Sequence, residues 1–196
     1  MNDKNAKEQI IDTTITMIQK RGYNNVSTNH IAKEAKVSIG TLYYHFPSGK
    51  VDIVRAMVER GISEVYNEEQ VKNLTIRDIP KYLRAFLLRY IKQHRKNASL
   101  VAAIEMAILS SEESSKTNED LYTAQLNVIP LVSKVLTKFD ISKEEDLDQI
   151  SKLIFHTLDS LIHRHVVYSN IVKTDEELVN YLINLSMAFL EYLKRT

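Results

Sequence analysis

The chain is predicted to be all-α. About nine helices are expected, arranged as an N-terminal three-helix domain over residues 1–47 and a larger helical domain over residues 48–196. Three observations predict this. Only four glycines and three prolines interrupt 196 residues, too few punctuating positions for a strand-rich fold. Apolar residues recur three and four positions apart through most of the chain, the spacing of one helix face. The balance of 44% hydrophobic to 26% charged residues is that of a globular chain able to bury a core. No apolar run reaches membrane-spanning length, and the start MNDKNAKEQ has no signal-peptide core, so no membrane partner and a cytoplasmic location are expected. The absence of cysteine excludes disulfides and thiolate metal sites.

The first helix is expected from about Lys4 to Arg21, where Ile10, Ile11, Ile15 and Ile18 share a face and Gly22 ends it. Tyr23 and Val26 lead into two short helical segments within Thr28–Lys50. Thr28 can cap the first, which would bury Ile31, Ala32 and Ala35; Ser38 can cap the second, which would bury Leu42 and Phe46. Two helices this short are unstable alone. They fit a helix-turn-helix, whose second helix lies in the major groove of double-stranded DNA with its N-terminal residues at base edges.

The chemistry of the second segment suits that role. Gly40 would let the backbone approach DNA closely, and Thr41 offers a methyl and a hydroxyl to base edges. Tyr43, Tyr44 and His45 put three polar-tipped rings in a row, and Lys50, after the Pro-Ser-Gly turn, could hold a phosphate. A helical hairpin with ordinary surface tyrosines is the alternative. Net charge is only +1, but the first 60 residues carry nine Lys/Arg against six Asp/Glu, and the remainder 17 against 19. The asymmetry has the sign that DNA binding requires.

The run Val37-Ser38-Ile39-Gly40-Thr41-Leu42-Tyr43-Tyr44-His45-Phe46, preceded by Ile31-Ala32 and followed by Lys50, resembles the signature of the TetR family of transcriptional regulators. The similarity extends upstream through Ile10 to Val26 and covers about a quarter of the chain. The resemblance implies that Asn29, Ile39, Gly40, Thr41 and Tyr43 approach bases, while Thr28, Tyr44, His45 and Lys50 lie along phosphates. Ser38, the cap, belongs to the same DNA-facing set. Asparagine suits adenine and threonine a thymine methyl, which hints at A·T-containing half-sites. The sequence departs from the pattern at Lys36, where relatives usually have glycine; a non-glycine residue at positive φ there costs on the order of 1 kcal/mol. Gly49 also places Lys50 one residue later than in many relatives.

A connector helix follows at about Ser48–Tyr66, with Val51, Val54, Met57, Val58 and Val65, and Asp78 with Pro80 marks the next start. Tyr82, Leu83, Phe86, Leu87, Tyr90 and Ile91 form an amphipathic stripe to about Lys96; Leu100–Leu109 is apolar almost all round and is expected to be buried. Ser110–Asn118 reads as a loop. A long helix over about 119–139 contains Pro130, expected to kink it near Asn127.

The last two helices, about 144–168 and 175–193, carry more apolar surface than one domain needs. Leu158, Leu161 and Ile162 lie on the first; Leu178, Leu182, Leu185, Phe189 and Tyr192 form one stripe of the second, with Val179, Ile183, Leu190 and Leu193 on another. A second copy packing as a two-fold four-helix bundle would use the surplus; a terminal helix sandwiched within the monomer is the alternative. The resemblance implies the homodimer. A dimer would read a palindromic operator, and the spacing of its two heads would decide whether both half-sites are engaged.

The resemblance also implies a repressor released by a small-molecule effector in the larger domain. Candidate lining residues are Tyr82, Phe86, Tyr90, Glu105, Met106, Leu109, Tyr122, Leu126, Ile129, Phe155 and Leu158. Such a pocket fits an apolar or amphipathic effector, fatty-acid-like, acyl-CoA-like or drug-like. Glu105 could recognise a cationic or hydroxylated group, or face a polar neighbour. Arg89, Lys92, Arg95 and Lys96 form a basic edge that could hold an anionic head group, or a solvated surface. Plain core is the alternative for each lining residue, and taken singly the more common one. A DNA-binding scaffold regulated through a protein partner is the second reading.

No metal and no cofactor is expected. His156, His163 and His165 share one helix, but the first two are two turns apart and the third points elsewhere. No phosphate-binding glycine loop, nucleophile elbow or convincing carboxylate pair suggests an enzyme.

Overall fold

The computed structural model describes residues 3–66, 68–110, 128–139 and 144–193. Every regular element among them is helical. In order they are α1 (Asp3–Arg21), α2 (Thr28–Glu34), α3 (Ile39–His45), α4 (Lys50–Val65) and α5 (Glu68–Lys72), then α6 (Ile79–Lys96), α7 (Ala98–Ser110), α8 (Ile129–Leu136), α9 (Glu144–His163) and α10 (Asp175–Leu193). The short helix α5 is the addition to the expected set. None of the described helices is long and apolar enough to cross a membrane.

The described helices fall into two compact units, one from α1 to Gly61 of α4 together with α7, the other from Ile62 through α6 with α8, α9 and α10. The division thus lies inside α4 and not at residue 47.

In the first unit Ile10, Ile11 and Ile18 of α1 meet Ile31 and Ala32 of α2, Leu42 of α3, Phe46, and Ile53 and Val54 of α4. Leu42 and Phe46 are at most 1% exposed, and each contributes about 1.5–3 kcal/mol by leaving water. Only one side of α7 joins this core, through Leu100 and Ile104, whereas Met106 is 68% exposed. The nearly continuous apolar run of α7 therefore does not translate into all-round burial.

The caps are specific. Ser27, not Thr28, caps α2, its hydroxyl accepting from the His30 amide at 3.3 Å. Thr28 is already helical, which frees its side chain for another contact. Ser38 caps α3, accepting from the Thr41 amide at 2.9 Å. Between them, the Val37 amide donates to the Ala32 carbonyl at 3.0 Å and Lys36 to Lys33 at 3.2 Å. These are the two bonds of a Schellman turn, whose left-handed residue is Lys36 at φ 53°.

In the second unit, Leu87 and Ile91 of α6 pack with Ile162 of α9 and Leu178, Val179, Leu182 and Ile183 of α10. A second cluster joins Ile79, Leu136, Ile150, Ile154 and Leu190. Pro130 stands in the first turn of α8, where its missing N–H would have had no helical partner. Residues 119–127, and with them the expected kink near Asn127, lie outside the described residues, as does most of the expected loop after Ser110. The helix α9 passes at His163 into a π turn, Arg164–Tyr168.

That π turn is tied down by His165, which is 1% exposed. The Ile171 amide donates to its Nδ1 at 3.2 Å, so the ring proton must sit on Nε2, which donates to Asp175 Oδ1 at 3.0 Å. Arg95 of α6 grips the same carboxylate, with Nε to Oδ2 at 3.1 Å. Arg84 joins Glu176, the next residue of α10, at 2.7 Å.

The Arg95 hydrogen bond, opposed by partial burial and aided by His165, holds the Asp175 carboxyl below the ordinary aspartate range. A carboxyl depressed in the folded state stabilises the fold above its unfolded pKa, and that stability is lost as pH falls through the folded value. Thermal unfolding of the parent should therefore weaken as pH drops below about 3.9. Asp175→Asn should unfold a few degrees earlier at neutral pH and show a flatter acid limb; parallel curves would exclude this role.

Candidate functional site

The helix-turn-helix presents one outward face. Ile39 (41% exposed), Tyr43 (46%) and Tyr44 (73%) project from α3 opposite the buried Leu42, while Asn29 and Ser38 are exposed beside them. Thr28 Oγ1 and the Tyr43 hydroxyl share a hydrogen bond of 3.2 Å, linking the start of α2 to the middle of α3. The Ser38 and Thr41 hydroxyls lie 2.8 Å apart, so Thr41 shares its polar tip with the cap. His45 is half-buried, its ring against those of Tyr44 and Phe46.

Two glycines shape this face for opposite reasons. At Gly49 (φ +66°) a Cβ would meet Thr28 Cγ2 at 3.1 Å and Tyr43 Cε1 at 3.6 Å, so the interior of the unit demands glycine there. At Gly40 φ is ordinary and a Cβ would meet only Ser38 Oγ at 3.6 Å. Nothing inside the protein requires glycine at 40, although it costs about 0.5–1 kcal/mol in a helix relative to alanine. The backbone at Gly40 is open on this outward face.

Lys50 faces the other way from its expected role. Its Nζ donates to the carbonyls of Tyr23 and Val26, both at 2.8 Å, and sits 3.8 Å above the Tyr23 ring centroid. Burial lowers its pKa. The ammonium closes the turn between α1 and α2 because two carbonyls there need donors, and it is not the outward phosphate ligand anticipated.

The second unit contains an apolar cavity enclosing about 970 Å³ of empty space, its open mouth included. One wall is a ladder of rings along α6: Tyr82 and Phe86 stack at 6.3 Å, Phe86 and Tyr90 at 5.8 Å. Leu131 and Val132 of α8, Phe155 and Leu158 of α9 and Met187 of α10 supply others. Burial, aided by Tyr66 and opposed by the nearby Arg89 charge, pushes the Tyr82 hydroxyl up to about 12. Tyr90 is raised well above the phenol range by burial and then by Asp159, whose Oδ1 accepts its hydroxyl at 2.6 Å.

Of the expected lining residues, Tyr82, Phe86, Tyr90, Phe155 and Leu158 line this cavity. Ile129 is buried in the same unit but absent from the wall. Glu105 and Met106 belong to α7 in the other unit, because one face of α7 completes the first core. Tyr122, Leu126 and the Leu109 side chain lie outside the described residues. Of the basic edge, Arg89 donates to the Val65 carbonyl at 3.2 Å and Arg95 holds Asp175, so both are engaged internally. Asp159 in the cavity wall was missed; it carries no sequence signal beyond its i, i+4 spacing to His163.

The expected dimer stripe is divided. Ile162, Leu178 and Leu182 are buried at 2% exposure or less within the second unit, and Val179, Ile183 and Leu190 are buried too. Leu158, Leu161 and Phe189 are partly buried against the same clusters. Most described residues of both expected stripes of α10 are thus packed within its own unit, but Leu185 and Tyr192 of the first stay outward, together with Tyr181 and with Leu153 of α9.

Residues 10–57 match the family described as bacterial regulatory proteins, tetR family. Residues 10–57 thus carry the DNA-binding region of the TetR family. The relatives that share it are transcriptional regulators and not enzymes. The chain is similar to the transcriptional repressor KstR of Rhodococcus jostii, 26% identical over 117 residues, which are 60% of this chain and 54% of that protein. It is likewise similar to the fatty acid metabolism regulator protein of Bacillus subtilis, 26% identical over 194 residues, covering 94% and 92% of the two. The fold resembles that of Thermus thermophilus FadR, a TetR-family repressor in complex with lauroyl-CoA, with a TM-score of 0.66, 16% identity and coverage of 92% and 93%. FadR from Bacillus halodurans has a TM-score of 0.65, 22% identity and the same coverage.

For a TetR-family head, Gly40→Ala should separate fold from function. Stability should rise by about 0.5–1 kcal/mol. Binding to operator selected from random DNA should weaken by on the order of 1–3 kcal/mol, the scale of one mismatched base pair. Lys50→Ala should instead lower stability by about 1–3 kcal/mol by stranding the Val26 carbonyl and removing one of the two donors to that of Tyr23. Thermal unfolding and anisotropy titrations check both, and unchanged stability in Lys50→Ala would overturn its inward role.

Proposed function

We propose that this regulator is a repressor that binds a palindromic operator as a homodimer and is released when an apolar or amphipathic small molecule fills the body cavity. The observation that carries the reading is the cavity itself: apolar walls, a three-ring ladder and a few polar tips, the lining that small-molecule sites use. An acyl chain is the ligand class its shape and lining favour. The fatty acid regulator of Bacillus subtilis and the lauroyl-CoA bound by Thermus thermophilus FadR support that class. The α4 helix belongs to both units, with its N-terminal part in the first and its last residues, Ile62 and Val65, in the cavity wall. A ligand that moves those residues would bias the heads between two spacings.

The DNA-facing set on this reading is Thr28, Asn29, Ser38, Ile39, Gly40, Thr41, Tyr43 and Tyr44, with His45 at its edge. The dimer face is the outward stripe Leu153, Tyr181, Leu185 and Tyr192, beside a groove lined by Thr157, Leu185 and Phe189.

Native mass spectrometry of the purified chain should give a dimer, with an added mass that vanishes on denaturation or appears on adding a long-chain acyl-CoA or fatty acid. The same ligand should release selected operator DNA. Leu185→Glu should give a folded monomer with weakened operator binding. Release by no acyl compound would overturn the effector class, and an unchanged molar mass for Leu185→Glu would overturn the dimer face.

A further inference from the structure

Beyond Tyr90 at the end of the ring ladder, α6 brings His94 against Asp159 and His163, which share one face of α9. His94, Asp159 and His163 each offer one ligating atom, and these atoms lie within 4.8 Å of one another. The His94 and His163 rings are 4.9 Å apart between centroids, and His163 Nε2 is 3.4 Å from Asp159 Oδ1. The cluster is well inside the unit: His94 is 7% exposed, and the His163 and Asp159 side chains 12% and 18%.

From this geometry we infer that His94, Asp159 and His163 form a binding site for a divalent transition metal ion of the Zn²⁺ type. Two imidazoles and one carboxylate are the donor set such ions take, and the absence of cysteine directs selection to nitrogen and oxygen ligands. Asp159 and His163 stand four residues apart on one helix face, so a single helix supplies two donors in a fixed register. The outer shell is also present. His94 Nδ1 lies 3.0 Å from the Tyr90 carbonyl; a carbonyl can only accept, so the proton is on Nδ1 and the Nε2 lone pair is the metal-binding one. The Tyr90 hydroxyl donates to Asp159 at 2.6 Å. Orienting a ligand histidine through a backbone carbonyl and a ligand carboxylate through a hydroxyl is how protein metal sites fix their donors.

A tetrahedral ion at about 2.0–2.1 Å from its ligands needs donors about 3.3–3.5 Å apart, so side-chain rotation of about 1 Å closes the present spread. Three protein donors leave coordination positions open. Because Asp159 also stands in the cavity wall, the ion would border whatever the cavity holds and bridge α6 to α9. A hydrogen-bonded polar cluster without an ion is the outcome the test must separate.

The probe is Co²⁺ added to the metal-stripped full chain, read by its visible absorption, with Zn²⁺ as competitor and thermal unfolding as a second readout. We expect one Co²⁺ per chain with an intense tetrahedral-type spectrum, displacement by Zn²⁺ and a raised Tm. His163→Gln and Asp159→Asn should weaken binding by at least about the 10–100-fold typical of losing an outer-shell partner, and Tyr90→Phe by less. His156→Gln, on the same helix but outside the cluster, should leave binding unchanged. No Co²⁺ spectrum from the folded parent, or a spectrum that survives both His163→Gln and Asp159→Asn, overturns the site. These readouts need no operator or acyl ligand, so they stand or fall separately from the proposed effector.

Discussion

The seven residues of α3 are too few to hold a helix in water, because the cost of nucleating a turn is recovered only over a longer run or by packing. Here packing supplies it. Leu42 and Phe46, buried against α1, α2 and α4, fix the helix along one side, and everything on the opposite side is thereby displayed. Ser38 satisfies the first turn from outside the helix, and the strained Lys36 closes the turn before it. With the inner side occupied by two large apolar groups, Ile39, Gly40, Tyr43 and Tyr44 have nowhere to point but out. The DNA-facing surface is a consequence of that anchoring.

The second unit uses α6 in a comparable way, with three duties around its circumference. Leu87 and Ile91 face α10, the rings of Tyr82, Phe86 and Tyr90 face a space that no side chain fills, and Arg84 and Arg95 reach across to acidic residues at the start of α10. The polar ties set how closely α6 and α10 can approach. Only a structure with both constraints can leave an apolar space open beside well-packed clusters.

How much was legible beforehand follows the range of the interactions. The capped, periodic helices, the helix-turn-helix and the outward placement of Tyr43 and Tyr44 were readable, since each depends on neighbours within a few residues. Lys50 was misread because its carbonyl partners lie 24 and 27 residues earlier and nothing local distinguishes a lysine that reaches inward. Pro130 was read as a kink; among the described residues it stands in the first turn of α8, and the sequence on its N-terminal side carries the same apolar pattern either way. The apolar stripes of α10 were identified correctly as stripes, but which of them meets its own unit depends on where α6 and α9 lie. Most of both stripes is packed internally, and the surplus falls on Leu185 and Tyr192 of the first stripe with Tyr181 beside them.

By itself, the sequence determined an all-helical chain with a short DNA-reading motif at its N-terminal end, because helix periodicity, capping residues and scarce glycine and proline act over single turns. Tertiary structure decided which apolar faces are spent on the protein's own core, where a cavity is left, and that His94 meets Asp159 and His163 across 65 or more positions of sequence. Those outcomes are set by how helices pack in three dimensions. Packing depends on the combined shape of many distant side chains, which no local pattern in the chain encodes.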